Sequence, residues 1–281
     1  MRDNGCALQF GNCMDLLPAL APGSVDLVLA DLPYGTTNCR WDSPLPLDAL
    51  WAEYNRICRG TVVLFAQLPF DKVLGASNIR NLRFEWVWEK GNATGHLNAR
   101  RAPMKAHEVI LVFAQGQPLY NPIMTHGHER KVSTKKRRED CPVYNEHDRT
   151  PYDSTSRFPR SVIKFSSDKQ RGATHPTQKP LPLLEYLVLT HSNPGHVILD
   201  NCMGAGTTGV AALKHGRKFI GMEIDQGFFD AACARLALRN LLRPFRELAN
   251  TRSPASTRRR RTQTGSTPSK TVALLSGASE A

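Results

Sequence analysis

Two short segments combine residue types that can bind a ligand and support chemistry. In the first, Gly204-Ala205-Gly206-Thr207-Thr208-Gly209 fits the pattern G-x-G-x-x-G and follows an apolar run that ends at Asp200. Glu223 closes the next apolar run, nineteen residues after Gly204. Glycines at such a turn let the backbone approach a ligand closely, and an acidic residue at the next strand end can accept hydrogen bonds from ribose hydroxyls. The spacing therefore predicts a site for a nucleoside-containing cofactor.

The charge of Asp200 helps to choose between cofactors. In a dinucleotide site the pyrophosphate lies over the glycine turn, at the amino terminus of the following helix. A carboxylate at Asp200 would repel that pyrophosphate. S-adenosyl-L-methionine has no phosphate there, and a carboxylate attracts its ammonium group and its sulfonium centre. The residues favour S-adenosyl-L-methionine over NAD, with a nicotinamide-dependent oxidoreductase and a plain strand-to-helix turn as the alternatives.

The second segment is Asp31-Leu32-Pro33-Tyr34, at the end of an apolar run that begins at Val25. The exocyclic amino group of adenine or cytosine is a poor nucleophile because its lone pair is delocalised into the ring. Asp31 and the carbonyl of Leu32, whose direction Pro33 fixes, could accept both amino hydrogens, while Tyr34 could stack on the base. A base reaches such a pocket only by leaving the double helix. Four residues alone are equally typical of a strand-ending turn, but beside the glycine turn they favour methyl transfer to a base.

Alternating strand and helix patterns surround these segments. Short apolar runs predict strands, and stretches with helical spacing separate them. The predicted strands are 7–10, 25–30, 61–66, 84–88, 107–114, 196–200 and 218–224, and the predicted helices are 14–17, 47–58, 180–190, 207–215 and 226–242. This order predicts an α/β fold with a largely parallel sheet and helices on both faces.

Positive charge is concentrated in two regions. Residues 100–171 contain fifteen Lys and Arg against eight Asp and Glu, and residues 241–281 contain eight against two. This distribution favours a polyanionic partner, although a solvated basic surface would carry the same charge. Between 116 and 172 the chain is rich in proline and has little periodicity, which predicts an inserted, loop-rich segment. From residue 251 onward the composition predicts a disordered tail.

Cysteine and histidine patterns argue against a metal or redox site. The seven cysteines contain no C-x-x-C pair, and the nine histidines show no H-x-x-x-H spacing. We interpret His107-Glu108 as a structural pair at the start of a strand, and we predict no metal. The amino terminus lacks the apolar core of a signal peptide, and no apolar run approaches the roughly 20 residues of a membrane span. These features predict a cytoplasmic protein without a membrane segment.

The chain resembles the amino-group-specific DNA methyltransferases, in which a D-P-P-Y motif precedes the cofactor motif. The resemblance covers roughly residues 5–242 in scattered blocks. The matching blocks are Asp31 to Tyr34, "HPTQKP" from His175 to Pro180, Asp200 to Thr208 against D-P-F-x-G-S-G-T-T, and "GMEID" at 221–225. It implies a Rossmann-like S-adenosylmethionine-dependent methyltransferase fold, a mostly parallel twisted sheet with helices on both faces. The circularly permuted motif order is that of the family's beta class.

The resemblance implies a role for each matching residue. It makes Asp31, Pro33 and Tyr34 catalytic. The residues that it assigns to the cofactor are Asp200, Gly204, Gly206, Thr207 and Glu223, with Thr177 and Lys179 at the methionine end.

The resemblance also divides the chain. Residues 1–115 form the catalytic half of the methyltransferase domain, 116–172 an inserted target-recognition segment, 173–250 the S-adenosylmethionine-binding half, and 251–281 a basic tail. Double-stranded DNA is the expected partner. The cations expected to bind it are Arg130, Lys131, Lys135, Lys136, Arg137, Arg138 and Arg160, interleaved with the aromatic residues Tyr120, Tyr144, Tyr152 and Phe158. A homodimer is left open, as is the setting: a restriction-modification system, a solitary host enzyme or a phage or prophage.

Two departures from the family pattern bear on activity. Leu32 replaces the first proline of D-P-P-Y, and Asn201-Cys202 replaces Pro-Phe, which removes an aromatic ring near the cofactor. An aspartate in the first motif position favours adenine, whereas serine favours cytosine. We therefore predict adenine as the acceptor, with the N4 amino group of cytosine as the alternative. A DNA-binding protein that has lost catalysis is a further alternative.

Overall fold

Apolar and β-branched runs form the strands of the computed structural model, which describes residues 5–35, 43–133, 152–166 and 178–241. In chain order the strands are β1 (Cys6–Phe10), β2 (Val25–Asp31), β3 (Cys58–Ala66), β4 (Leu82–Thr94), β5 (Lys105–Ala114), β6 (Lys131–Ser133), β7 (Tyr152–Ser154), β8 (Val162–Phe165), β9 (Val197–Asp200) and β10 (Lys218–Glu223). Eight of them form one sheet in the order β1-β10-β9-β2-β3-β5-β4-β8, and β6 pairs with β7 separately. Within the large sheet β5 is the reversed strand, antiparallel to both β3 and β4. The predicted largely parallel sheet is confirmed.

Helices cover both faces of this sheet. They are α1 (Cys13–Leu16), α2 (Leu47–Ile57), α3 (Phe70–Ser77), α4 (Leu181–His191), α5 (Thr207–Lys214) and α6 (Gln226–Leu241), with 3-10 helices at Leu17–Ala19 and His96–Asn98. Successive residues of β2 point to opposite faces. Leu27 and Leu29 join the apolar cluster formed with α4, α5 and α6, whereas Val28 and Ala30 join the cluster formed with α2 and α3. Burial on both faces explains why β2 is apolar without alternation.

The segment predicted as a loop-rich insertion contributes a strand to the main sheet. β8 pairs in parallel with β4, and the Val87 N–H donates to the Ser161 carbonyl at 2.8 Å. The expectation of irregular structure was therefore wrong for Val162–Phe165. Only Ile163 of these four residues is buried, so the local pattern is too short to indicate a strand. Pairing with β4 is what makes this segment a strand. Helix α3 was not predicted either.

The first strand lies at the far edge of the sheet, beside β10. Cys6 pairs with Phe219 and Phe10 with Glu223. A strand from the amino-terminal half thus extends the part of the sheet formed by residues of the carboxyl-terminal half. The proposed tail, 251–281, lies outside the described residues. Among the helices of the described ranges, none has both the length and the apolar character for crossing a membrane.

Candidate active site

Three carboxylates meet at one edge of the sheet because each ends a parallel strand. Asp31 ends β2, Asp200 ends β9 and Glu223 ends β10, and these strands are neighbours in the sheet. After β9 the chain continues to β10 on one side of the β9–β2 pair, and after β2 it continues to β3 on the other side. In α/β sheets ligands bind beyond the carboxyl ends at such a point. All three residues line a cavity of about 500 Å³, a volume typical of small-molecule sites.

The glycine turn has the backbone conformation that its sequence predicts. Gly204 and Gly206 have φ angles of 51° and 72°, in the left-handed region that favours glycine. Gly206 also begins α5 against α6: a Cβ atom there would lie 3.2 Å from both Ala232 Cβ and Leu236 Cδ1. The turn therefore needs glycine for its conformation and for helix packing.

The Glu223 side chain links the glycine turn to β10 through hydrogen bonds. Its Oε2 accepts a hydrogen bond from the Gly204 N–H at 2.8 Å, and its Oε1 accepts from the N–H groups of Ile224 and Asp225 at 2.9 and 2.8 Å. Burial raises the pKa of Glu223, and these N–H groups oppose the shift. The carboxylate is thus held rigidly at the cavity wall.

Asp200 is buried, with 3% of its surface exposed. Its Oδ1 accepts from the Cys202 N–H at 3.1 Å. Burial raises the pKa of Asp200 to about 7, against hydrogen bonds from Thr208 and Cys202, and the charges of Asp31 and Glu223 raise it further. A carboxyl group in this state gains from a nearby cation.

The charges of the cavity fit S-adenosyl-L-methionine. Asp200 and Glu223 flank the turn, where a pyrophosphate would be repelled and an ammonium or sulfonium attracted. Lys179 is the single Lys or Arg among the described residues that line the cavity. Its charge is already balanced by Asp31, so it adds no anion site at the turn.

Both oxygens of Asp31 have partners. The Tyr34 hydroxyl donates to Oδ1 at 2.7 Å, and the Lys179 ammonium lies 2.8 Å from Oδ2. The Tyr34 ring stacks on Phe70, with 5.2 Å between centroids and 23° between planes. Pro33 and Leu32 line the cavity next to Asp31. Asp31 and Pro33 thus line the cavity, whereas Tyr34, predicted to stack on the base, stacks on Phe70 and is not among the described residues that line it.

Lys179 connects Asp31 to a second carboxylate. Its Nζ lies 3.1 Å from Glu108 Oε2, and Lys90 Nζ lies 2.6 Å from Glu108 Oε1. Burial disfavours the charge of Lys179, but Asp31 and Glu108 outweigh it and raise the Lys179 pKa. Burial likewise opposes the charge of Glu108, but Lys179 and Lys90 lower its pKa. The four side chains form a row of alternating charge in which Lys179, Glu108 and Lys90 are largely buried and Asp31 is partly exposed. We call it the charge row: Asp31, Lys179, Glu108 and Lys90.

Glu108 is a residue next to the candidate site that the sequence analysis did not assign to it. It was interpreted as a structural partner of His107, but His107 is exposed while Glu108 is buried in the charge row. Because β5 is reversed, its first residues lie at the edge where the parallel strands end. The one available signal was a carboxylate beside the apolar run "VILVFA".

The departures at Asn201 and Cys202 have local explanations. Asn201 Oδ1 accepts a hydrogen bond from the buried Tyr54 hydroxyl at 2.6 Å. Cys202 lines the cavity with Cys13. A hydrogen bond from the Cys202 thiol lowers the pKa of Cys13 to about 7, against the effect of burial.

The other residues assigned to the cofactor differ in where the structure places them. Thr207 lines the cavity, and its hydroxyl accepts from Arg235 Nη1 at 2.9 Å. Lys179 was assigned to the methionine end of the cofactor, but the contacts described for its ammonium are with Asp31 and Glu108. Thr177 lies outside the described residues.

The residues predicted to bind DNA do not line the cavity where they are described. Arg130 pairs with Asp153, with Nε 2.7 Å from Oδ1, and Lys131 and Arg160 are exposed. Of the aromatic residues, Tyr120, Tyr152 and Phe158 are exposed, and Tyr120 also packs edge-on against Phe84. Lys135, Lys136, Arg137, Arg138 and Tyr144 lie outside the described residues.

Sequence comparison identifies the class. The chain matches the family model described as DNA methylase, of the N6 and N4 type, over residues 25–234, which is more than half of its length. The chain belongs to this family of amino-group-specific DNA methyltransferases. The family resemblance is thereby confirmed, and the cofactor predicted from the glycine turn, S-adenosyl-L-methionine, is the cofactor of the family.

Two relatives show how far the similarity extends. The chain is 28% identical over 247 residues to the DNA adenine methyltransferase YhdJ of Escherichia coli K12, covering 80% of this chain and 81% of that protein. It is 26% identical over 242 residues to the type II methyltransferase M1.MboII of Moraxella bovis, covering 79% and 92%. Most of both relatives is thus matched.

Solved structures show the same fold. The crystal structure of the M1.HpyAVI–SAM complex has a TM-score of 0.55 and 22% identity, with 82% of this chain and 98% of that chain covered. The PvuII DNA methyltransferase, described as cytosine-N4-specific, has a TM-score of 0.60 and 15% identity, with 82% and 86% covered. The predicted Rossmann-like methyltransferase fold is confirmed.

Proposed function

We propose that this chain transfers a methyl group from S-adenosyl-L-methionine to the N6 amino group of adenine in double-stranded DNA. The observation that carries the proposal is that Asp31 and the acidic glycine turn line one cavity. An acceptor held at Asp31 and a cofactor held at Asp200 and Glu223 would share that space. Adenine is supported by the aspartate in the first motif position and by the similarity to an adenine methyltransferase over 80% of the chain.

The acceptor amino group would be oriented by the end of β2. Asp31 Oδ1 and the Leu32 carbonyl provide two acceptors for its two hydrogens. A carboxylate oxygen has two lone pairs, so Oδ1 can take an amino hydrogen besides the Tyr34 hydroxyl. Accepting both hydrogens favours a pyramidal nitrogen whose lone pair is free for in-line attack. Lys179 fixes Oδ2 and thereby the direction of Oδ1.

The cofactor would be held by the turn and its two flanking carboxylates. When bound, S-adenosyl-L-methionine supplies an electrophilic methyl group on a positively charged sulfur. Asp200 suits its ammonium group, and Glu223 suits its ribose hydroxyls. Binding a cation beside Asp200 favours the ionised carboxylate, whose pKa burial otherwise raises to about 7.

As the base nitrogen takes the methyl group, the carbon–sulfur bond would break and S-adenosylhomocysteine would leave as a neutral thioether. Positive charge would develop on the nitrogen until it releases one of its two amino protons to solvent. The Asp31 carboxylate lies where it can stabilise that charge without rearrangement, which is the form of electrostatic catalysis expected when no covalent enzyme intermediate is needed. The ammonium of Lys179 stays between two carboxylates and adds little net positive charge to the site. Proximity and electrostatics then account for catalysis.

Mass spectrometry of nucleosides from treated duplex DNA tests the proposal. We expect N6-methyladenine. Detection of N4-methylcytosine alone would replace adenine by cytosine, and methylation of RNA or protein alone would refute the substrate. Asp31→Ala distinguishes an enzyme from a DNA-binding protein without catalysis: we expect it to bind duplex DNA and to lose methyl transfer.

A further inference from the structure

The hairpin between β4 and β5 forms an exposed, basic arm. We call residues 91–107 the arm. Every residue in this range is exposed. The range contains Arg100, Arg101 and Lys105 and no Asp or Glu. A protruding element with only positive charge has the electrostatics of a polyanion-binding surface.

The arm leaves the sheet at the edge that carries the catalytic strand end. Asp31 pairs with Phe65 on β3, and the next residue of β3, Ala66, pairs with Val109 on β5. Lys105 Nζ donates to Gln67 Oε1 at 3.2 Å, just beyond the end of β3. The three residues from Glu108 to Lys105 span about 10 Å along the strand. Phosphates around a base held at Asp31 would lie within reach of the arm.

The base of the arm is anchored to the body of the sheet. Glu108 and Lys90, the residues that flank it, form a buried ion pair in the charge row. Close packing of Gly91 against Ser166, next to β8, adds to this: a Cβ atom on Gly91 would lie 3.2 Å from Ser166 Oγ and 3.4 Å from Ser166 Cα. These contacts fix the place where the arm leaves the sheet.

The tip of the arm presents an apolar side chain to solvent. Leu97 is 88% exposed, in the 3-10 helix His96–Asn98. The turn is ordered by hydrogen bonds from the Asn98 N–H to the Gly95 carbonyl at 3.0 Å and from the Ala99 N–H to the His96 carbonyl at 3.1 Å. Because the Leu97 side chain is exposed in the free protein, it contributes no hydrophobic stabilisation there. A partner that buries Leu97 would supply it.

We propose that the arm binds duplex DNA beside the target base. Arg100, Arg101 and Lys105 would contact phosphates, and Leu97 would insert into the base stack. This inference rests on the proposed function. A flipped base leaves a gap, and unstacking costs free energy that an inserted apolar side chain offsets. Arginine and lysine are the residues that contact phosphates. The arm thus promotes flipping, a role separate from the sequence choice predicted for 116–172.

Leu97→Ala tests the insertion, with 2-aminopurine placed at the target position of a duplex whose methylated motif has been determined. Removing an inserted side chain mainly affects base flipping. We expect Leu97→Ala to bind duplex DNA within about twofold of the wild-type affinity and to transfer methyl groups roughly tenfold more slowly. Its 2-aminopurine fluorescence should also rise less on binding. Leu97→Met should restore both signals. Ile79→Ala is the matched control, because Ile79 is 64% exposed and lies beside Asn81, whose carbonyl accepts from Ala114 at the opposite end of β5.

Arg100→Ala combined with Arg101→Ala tests the phosphate contacts. Losing two contacts should reduce the slope of log affinity against log salt by about two. Arg80→Ala, next to the control Ile79, should leave the slope unchanged. The inference is overturned if Leu97→Ala leaves flipping and transfer intact, or if the double variant leaves the slope intact. A wild-type enzyme that binds duplex DNA without methylating it would refute the proposed function, and the salt slopes would still decide whether the arm binds DNA.

Discussion

Lys179 Nζ lies 2.8 Å from Asp31 Oδ2 and 3.1 Å from Glu108 Oε2, so one buried ammonium holds carboxylates from two different strands. Lys179 and the Tyr34 hydroxyl, which donates to Oδ1, together orient the Asp31 carboxylate. The charge row balances two positive and two negative groups, which is the condition under which buried charges are tolerated. Removing any member leaves its neighbours unbalanced.

Glu108→Gln should destabilise the protein and slow methyl transfer. It leaves the ammonium groups of Lys90 and Lys179 near each other without a carboxylate between them, and breaking a buried pair typically costs about 3–5 kcal/mol. Adding Lys90→Met removes the excess charge and should recover part of the free energy of unfolding. Transfer should stay slow, because Lys179 still lacks its second partner, while cofactor affinity changes little. Urea unfolding, calorimetry and initial rates measure these effects.

The matched control for Glu108→Gln is Glu89→Gln. Glu89 pairs with Lys164 at 2.7 Å on the exposed surface. Such pairs contribute about 0–1 kcal/mol, so both stability and rate should be nearly unchanged. If Glu108→Gln were as mild as Glu89→Gln, the charge row would have no role in holding Asp31.

Asp31→Asn should reduce methyl transfer by roughly 100-fold or more, because losing one oriented electrostatic partner of a transition state has effects of this size. The amide keeps the shape of the side chain but cannot present two anionic oxygens to Lys179 and the amino group. Duplex affinity should remain within about threefold, since phosphate contacts dominate it. The control is Asp48→Asn in the exposed first turn of α2. Equal activity of the two variants would refute the catalytic assignment of Asp31.

Asp200 should make the stability of the free protein depend on pH. Its pKa is about 7 in the folded protein against an ordinary 3.8. Between these values the folded protein holds a proton that the unfolded chain releases, so this carboxyl lowers the free energy of unfolding as pH rises through that window. Urea unfolding at pH 5, 6, 7 and 8 should show this loss, and Asp200→Asn should remove it. Asp225→Asn, on the exposed surface, is the control; an unchanged slope in Asp200→Asn would contradict the prediction.

Cys13 should react with iodoacetamide at neutral pH and be protected by cofactor. A hydrogen bond from Cys202 lowers its pKa to about 7, and Cys13 lines the cavity. Burial raises the pKa of Cys6 and of Cys58 to about 11, so these two thiols are internal controls. Peptide mass spectrometry should show modification of Cys13 rising through pH 7 and suppressed by S-adenosylhomocysteine. Equal labelling of Cys58 at pH 7.5 would count against this assignment.

Gly206→Ala should destabilise the protein more than Gly216→Ala. Both positions have positive φ, 72° and 73°, and a side chain in that region costs about 1–3 kcal/mol. At Gly216 no atom lies within 4 Å of an added Cβ, whereas at Gly206 the Cβ would also crowd Ala232 and Leu236. Only Gly206→Ala should weaken cofactor binding. Equal losses of stability, measured by urea unfolding, would show that crowding against α6 is unimportant.

The sequence by itself was sufficient for the strand ends and turns that carry the known motifs. The run before Asp31, the glycines at 204 and 206, and Glu223 at the end of a strand are local patterns, because turn conformation and strand burial depend on neighbouring residues. These patterns correctly predicted a largely parallel sheet, and the glycine turn follows the carboxyl end of one of its strands. The assignment of individual residues to catalysis and DNA binding stays a prediction.

Only the tertiary structure decided which distant residues complete the site. Glu108 enters it because β5 runs against its neighbours, and Lys179, two residues before α4, lies between Asp31 and Glu108. Likewise β8 is a strand because β4 offers an edge for pairing. Strand order and direction depend on pairing between residues far apart in the chain, and no local periodicity encodes them. The residues at strand ends could therefore be predicted from local sequence, whereas the residues that contact them were determined by long-range packing.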